Sequence, residues 1–195
     1  MTKICKTTQR GNSMEYSFHV YNTMADIGMS LALTKILENE KTPPIVVCIG
    51  SDLAIGDSLG PIVGTLLEKE LKSQAYVYGT LRHPVTAKEM KYMSEFLRQT
   101  HPKSKVIAVD AAVGEESEIG LIKVSDVPLR PGSGANKRLG AIGDVSILGI
   151  IAKKSAFSYA QLNLTRLNTV YSMAVTVSKA ISNYLTDQKE QRCTG

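Results

Sequence analysis

The chain has 195 residues, 43% of them hydrophobic and 21% charged, which predicts one globular domain with its own core and no low-complexity tract. A net charge of +5 comes from basic residues that are spread along the chain, so a nucleic-acid-binding module has the least support and nucleic acid is not an expected partner. We find no signal peptide, no apolar run near the roughly 20 residues that span a bilayer, and no cysteine spacing typical of disulfide frameworks or metal sites. We therefore expect a cytoplasmic protein with no membrane partner.

The first predicted elements are an extended segment and a helix, which together occupy residues 1–43. Apolar and polar residues alternate over 14–20, as in a strand, and apolar residues recur at helical spacing over 23–40. The run PIVVCIG at 44–50 is typical of a strand buried on both faces. A turn follows, and then a helix that starts near Pro61, a residue favoured in the first helical turn.

The middle of the chain repeats this alternation. Residues 76–81 predict a strand, 86–99 a helix, and 105–110 a third apolar strand that is closed by an aspartate. Thr86 and Glu89 have the spacing of a capping box at the start of this helix.

The last third is less regular. Residues 118–124 alternate and suggest an antiparallel strand at an edge, 143–152 form an apolar strand, 164–185 form a helix, and 186–195 form a frayed tail. Alternating strands and helices imply right-handed crossovers. We predict an α/β fold with three α/β/α layers and a mainly parallel twisted sheet, in a single domain over 1–195.

Acidic side chains follow two of the predicted strands. The turn GSDLAIGDSLGP carries Asp52 and Asp57, and Asp110 closes the third strand. In open parallel sheets, chemistry gathers beyond the carboxyl ends of the strands. Asp57 would suit a helix cap, a metal site or acid–base chemistry, and Asp110 would also suit a cap. Two carboxylates in one cleft would allow one to act as general acid and the other as general base.

Other kinds of site have less support. The turn contains neither a G-x-G-x-x-G nor a G-x-x-x-x-G-K-[ST] pattern, so we expect no nucleotide cofactor. The chain has no histidine pair or clustered cysteines for zinc, and no G-x-S-x-G elbow for a serine nucleophile. His83, in TLRHP, would orient a substrate, shuttle a proton, or be an ordinary solvated histidine.

The stretch RPGSGANKR is a long loop in a compact domain, and such loops are more often functional than decorative. Its glycines allow unusual backbone dihedrals, and its polar and basic side chains are suited to hydrogen bonds and acidic groups. We expect this loop to contribute substrate-binding residues, namely Gly132, Ser133, Gly134, Asn136, Lys137 and Arg138.

Three segments, GSDLAIGDSLGP, VIAVDAAVG and PGSGANKR, resemble in their order the spore germination proteases, which degrade small acid-soluble spore proteins. The strand–turn–acid arrangement is similar to the hydrogenase maturation proteases, which share an α/β fold. The overall match is to the YyaC-type sporulation protein family, over about 44–149 and more loosely the last helix.

The resemblance implies roles for individual residues. The two aspartates implicated in germination-protease activity match Asp57 and Asp110, and we expect Ser51, Asp52 and His83 to contact substrate beside them. In the maturation proteases the matching acids join a histidine in binding nickel at the substrate. No histidine here matches that position clearly, so we predict no metal site.

We therefore expect an endopeptidase-like hydrolase of a sporulating bacterium, with the forespore as its location. It would use an aspartate pair on a peptide or protein substrate, such as small acid-soluble spore proteins. The alternative is a non-catalytic relative that binds a peptide or protein partner during sporulation. A homodimer is compatible with the sequence.

Overall fold

The computed structural model describes residues 6–10, 13–38, 40, 42–71, 75–130, 140–155 and 162–194. The strands are β1 (Lys6–Arg10), β2 (Ser13–His19), β3 (Ile45–Cys48), β4 (Val77–Tyr78), β5 (Val106–Gly114), β6 (Leu121–Ser125) and β7 (Val145–Lys153). The helices are α1 (Ala25–Ile36), α2 (Leu59–Leu71), α3 (Met90–Thr100) and α4 (Leu167–Thr194). No helix in this described part of the chain is long and apolar enough to cross a membrane.

The strands form one seven-stranded sheet in the order β1-β2-β6-β7-β5-β3-β4. The neighbours β7, β5, β3 and β4 are parallel, whereas β6, β2 and β1 extend the sheet through antiparallel pairs. The α/β class is confirmed. The predicted parallel arrangement is found for the strands that alternate with helices along the chain. The rest of the sheet is antiparallel because an N-terminal hairpin pairs with β6.

The position of β6 differs from the sequence-based expectation. Residues 118–124 were expected at an edge, but β6 lies inside the sheet between β2 and β7. Its alternating pattern arises because Ile122 and Val124 are buried in the core while the residues between them are only half buried. The alternating pattern therefore shows that one face of the strand is buried. Interior antiparallel strands and edge strands both have this property, so the pattern does not distinguish them.

Helices cover both faces of the sheet, so the predicted three layers are present. Val46, Val109 and Ile147 belong to the core beneath α1, α2 and α4. Val47 and Ala108 belong to a second core on the opposite face, which includes residues of α3. Consecutive strand residues therefore enter opposite cores, as their continuous apolar sequences require.

Several boundaries moved from their predicted positions. Strand β4 covers only Val77–Tyr78, and β5 continues to Gly114 because β7 pairs with it that far. Helix α4 extends to Thr194, so residues 186–194 of the predicted frayed tail (186–195) are instead helical. That segment is rich in Gln, Lys, Glu and Arg, which favour helix, and it contains no glycine or proline before Gly195.

Helix α3 begins as its capping box predicted. The 3₁₀ turn Ala87–Glu89 precedes it, and the Thr86 backbone N–H donates to Glu89 Oε2 at 2.7 Å. The Thr86 side chain in turn accepts from the Glu89 backbone, so the predicted capping box is confirmed.

Candidate active site

The carboxyl edge of the parallel strands is shaped by the turn that follows β3. The turn folds back so far that a Cβ on Gly50 would lie 2.0 Å from the Asp57 carbonyl oxygen, and one on Gly60 would lie 2.0 Å from the Ile49 carbonyl oxygen. Gly50 also has a φ of +142°, in the region that favours glycine. These two glycines bring the start of α2 against the end of β3, and they thereby fix the position of the aspartate between them.

Asp57 lies in a 3₁₀ turn, Gly56–Ser58, directly before α2. Its carbonyl oxygen accepts a hydrogen bond from the Ser51 backbone N–H at 3.1 Å. Burial raises the pKa of its half-buried carboxyl group, and a backbone hydrogen bond from Ser51 partly offsets this rise. The Asp57 carboxyl group thus interacts with the strand side of the turn, and its acid–base role stays a prediction.

Asp110 lies within β5, opposite Leu148 of β7, and not at the end of its strand as predicted. It is buried, and its Oδ1 accepts a hydrogen bond from the Ala111 backbone N–H at 2.8 Å. Burial first, and then the negative charge of Asp57, raise the pKa of Asp110 well above its usual range, against a smaller opposing effect of the Ala111 hydrogen bond.

The two aspartates are therefore electrostatically coupled. Asp110 is the more deeply buried of the two, and the charge on Asp57 further disfavours its ionisation. In such a pair the first proton lost leaves one carboxylate beside one carboxylic acid. The deeper burial of Asp110, which raises its pKa well above the usual range, favours retention of that proton on Asp110. Two carboxyl groups in these states would be able to act as a base and an acid.

Ser51 and Asp52 belong to the same turn but differ in their surroundings. The Ser51 hydroxyl oxygen accepts the Leu53 backbone N–H at 3.2 Å, so this side chain stabilises the turn. Asp52 is exposed. Their predicted contact with substrate stays a prediction.

His83 lies at the same edge in an exposed turn. The Thr80 backbone N–H donates to the His83 carbonyl oxygen, and the His83 N–H donates to the Thr80 hydroxyl oxygen, each at 3.1 Å. Two residues later, Val85 pairs with Ile49 at the end of β3. Among the described residues, no hydrogen bond joins the His83 ring to either aspartate. Its catalytic role therefore stays a prediction.

The predicted loop residues Gly132, Ser133, Gly134, Asn136, Lys137 and Arg138 lie outside the described residues. The ends of the loop are described. Leu129 and Ile142 exchange two backbone hydrogen bonds of 2.8 Å, and both side chains are buried in the core on the α3 face. Since Ser125 pairs with Ser146, the connection leaves β6 and enters β7 at the amino edge of the parallel strands.

Two apolar side chains beside Asp57 were missed by the sequence analysis. Leu53 is 88% exposed and Ile55 is 39% exposed, and both belong to the turn that carries Asp57. The sequence did contain an indication of these two residues. Both are large and apolar, and they lie in a glycine-rich turn where no periodicity predicts burial. Their exposure suggests a surface that contacts a ligand.

No group of three or more His, Cys, Asp or Glu side chains that could hold a metal ion occurs within the described ranges. Cys48 is fully buried in β3, and burial raises the pKa of its thiol far above its ordinary value. It is a core residue, as its position in the apolar strand predicted.

Comparisons with known proteins agree with this architecture. The sequence profile of the family described as "Protein of unknown function (DUF1256)" matches residues 17–180. The uncharacterized protein YyaC of Bacillus subtilis (strain 168) is 42% identical over 150 residues, which cover 77% of this chain and 72% of YyaC.

A solved structure resembles the fold. It is the [NiFe] hydrogenase maturation protease HycI from Thermococcus kodakarensis KOD1, which matches with a TM-score of 0.52 and 18% identity. The match covers 80% of this chain and 99% of HycI. At this identity the similarity establishes a shared, protease-like fold.

Proposed function

The chain belongs to the DUF1256 family, and we propose that it is an endopeptidase-like hydrolase in which Asp57 and Asp110 act together on a peptide bond. The observation that carries this proposal is the coupling of the two carboxyl groups. Asp110 is buried within β5, and its pKa is raised by burial and by the charge of Asp57. Carboxyl groups with perturbed pKa values at the carboxyl edge of a parallel sheet are frequent in catalytic sites.

In the proposed reaction, ionised Asp57 removes a proton from a water molecule as its oxygen attacks the peptide carbonyl carbon. Asp110 donates its proton to the carbonyl oxygen, which gives a neutral tetrahedral intermediate. Asp57 then passes its proton to the amide nitrogen as the C–N bond breaks, and Asp110 recovers a proton from the intermediate's hydroxyl group. The products are a carboxylic acid and an amine, and both aspartates return to their starting states.

The substrate class rests on the resemblance of the turn, the Asp110 strand and the PGSGANKR segment to spore germination proteases. We propose spore or sporulation proteins as substrates, small acid-soluble spore proteins first, in the cytoplasm of the forespore. The protease-like fold shared with HycI supports peptide-bond chemistry. Ser51, Asp52 and His83, which belong to the carboxyl edge of the parallel strands, are proposed to contact the substrate.

The test is incubation of the purified protein with small acid-soluble spore proteins, read by intact mass. Asp57→Asn and Asp110→Asn should each slow cleavage by at least about 100-fold, the lower end of what general acid–base groups contribute. Asp187→Asn is the matched control, because Asp187 is an exposed aspartate on α4 and the change should leave the rate unaltered.

Discrete fragments that both variants still release at the wild-type rate would rule out the aspartate mechanism. Saturable binding without any cleavage by the wild type would instead identify the chain as a non-catalytic relative that binds a peptide or protein partner.

A further inference from the structure

Strand β5 is longer than its neighbour β3, and this difference leaves part of its edge without a strand partner. Pairing between the two ends at Cys48 and Val109, whereas β5 continues to Gly114 along β7. Ala111–Gly114 are half buried, and three of these four residues are alanine or glycine, so few side-chain atoms project from the faces of the sheet here.

The hydrogen-bond alternation identifies which backbone groups face this open side. Odd-numbered residues of β5 face β3, since Ile45 N–H donates to the Lys105 carbonyl at 2.8 Å and Ile49 N–H to the Val109 carbonyl at 2.7 Å. Even-numbered residues face β7, since the Val106 and Gly114 carbonyls accept hydrogen bonds from Asp144 and Lys154, the two residues that flank β7. Ala111 and Val113 therefore direct their backbone groups to the side that β3 has left.

The turn after β3 explains why no described strand pairs with these groups. If β3 continued, the Ser51 N–H would be the next donor, to the Ala111 carbonyl. It donates instead to the Asp57 carbonyl at 3.1 Å. The Ala111 N–H is taken by Asp110 Oδ1 at 2.8 Å. The Ala111 carbonyl and the N–H and carbonyl of Val113 remain, and the described strands provide no partner for them.

We propose that this open edge of β5, residues 111–114, binds an extended peptide segment with apolar side chains, which adds to the sheet in line with β3. An extended main chain is the partner whose N–H and C=O spacing matches that of a strand edge. Its path passes the turn that carries Leu53 and Ile55, whose exposed side chains would contact its apolar residues. Asp110 is the neighbour of Ala111, so the peptide main chain would run beside the aspartate pair.

This inference deepens the proposed function, because the bound segment would be the substrate. It predicts recognition through the main chain and one or two apolar side chains, and hence tolerance of many sequences. Proteins that unfold locally, or that lack stable structure, supply such segments.

The test uses the Asp57→Asn protein, which should not cleave, and a heptapeptide with alternating leucine and threonine between terminal lysines. Binding is measured by calorimetry and by the amide chemical shifts of Ala111–Gly114. Two further peptides carry N-methyl groups on alternate residues, in one frame or the other. Only one frame of N–H groups faces β5, so one methylated peptide should bind at least about tenfold more weakly and the other nearly as well.

A protein variant tests the side-chain contact. Leu53→Ser should weaken binding of the unmethylated peptide about tenfold, whereas Leu31→Ser, at an exposed leucine on α1, should leave it unchanged.

The outcomes separate the two proposals. Binding with the one-frame pattern but no cleavage by the wild type would retain the edge site and overturn the peptidase. If the wild type cleaves its substrate but the two N-methylated peptides bind equally well, the peptidase proposal is retained and the edge site is overturned. Absence of binding of the unmethylated peptide would also overturn the edge site.

Discussion

Replacing Gly60 by alanine tests whether the approach of α2 to β3 positions the candidate site. A Cβ at this position would lie 2.0 Å from the Ile49 carbonyl oxygen and 2.7 Å from the Ile49 nitrogen. Both atoms belong to the backbone of a buried strand, so no side chain can rotate away. The start of α2 must move from β3 by roughly 1 Å to restore ordinary contact.

The sign of the change in stability shows whether helix propensity or overpacking against β3 dominates. In an unobstructed helix, glycine to alanine stabilises by up to about 1 kcal/mol. Overpacking against a rigid backbone costs about 3 kcal/mol, at the upper end of its usual range. The net expectation is a loss of about 2 kcal/mol, which for a domain of this size lowers the melting temperature by about 4–8 °C.

The same shift should reach the chemistry. Asp57 lies three residues before Gly60, so it would move relative to Asp110, and a displacement of roughly 1 Å can cost about 100-fold in rate. Thermal unfolding followed by circular dichroism, together with cleavage of spore proteins, measures both effects. Gly140→Ala is the control, because a Cβ there meets nothing within 4 Å. A Gly60→Ala protein with an unchanged or raised melting temperature would refute the proposed packing.

Further predictions concern titration, reactivity and a local ion pair. Asp110 has a raised pKa, so the native state keeps a proton that the unfolded state releases, and wild-type stability should fall as pH rises above about 4. In urea unfolding between pH 4 and 8, the free energy of unfolding of the Asp110→Asn protein should fall less with pH than that of the wild type. Parallel pH profiles of the two proteins would contradict this prediction. Cys48 is buried and its thiol has a raised pKa, so it should react with thiol reagents only after the protein unfolds. In a Cys5→Ser, Cys193→Ser protein, which retains Cys48 as its thiol, rapid labelling in buffer without denaturant would contradict this prediction. The Asp144 carboxylate accepts a hydrogen bond from the Val106 N–H at 2.9 Å and also forms an ion pair with the half-exposed Lys105. Asp144→Ala removes both interactions and should lower the free energy of unfolding by about 1–2 kcal/mol. Lys105→Ala removes only the ion pair and should lower it by less than about 1 kcal/mol. Equal losses in denaturant unfolding would count against this explanation.

Much of the fold was predictable because its elements have strong local patterns. The continuous apolar runs of β3, β5 and β7 indicated strands buried on both faces, and the capping box at Thr86 located the start of α3. The position of β6 was not predictable, because an alternating strand has the same sequence pattern at an edge and inside an antiparallel sheet. The partner that decides this, the N-terminal hairpin, lies about a hundred residues away in sequence.

The candidate site was predictable in part. Asp57 and Asp110 follow apolar strands, and parallel strands bring their carboxyl ends to one edge regardless of loop detail. Their different degrees of burial, and the coupling between them, depend on how closely α2 approaches β3, and therefore on atoms distant in sequence. The exposure of Leu53 and Ile55 likewise depends on which surfaces the turn leaves uncovered.

The amino-acid sequence by itself determined the α/β class, the alternation of elements and the identity of the two acidic residues, since these depend on periodicity and on neighbours along the chain. Only the tertiary structure decided that β5 extends beyond its pairing with β3, that Asp110 lies inside its strand, and that no described strand pairs with the Ala111 carbonyl or the Val113 backbone on that side. Strand length in a sheet is set by the partner that supplies hydrogen bonds, and β7 supplies them where β3 has turned away.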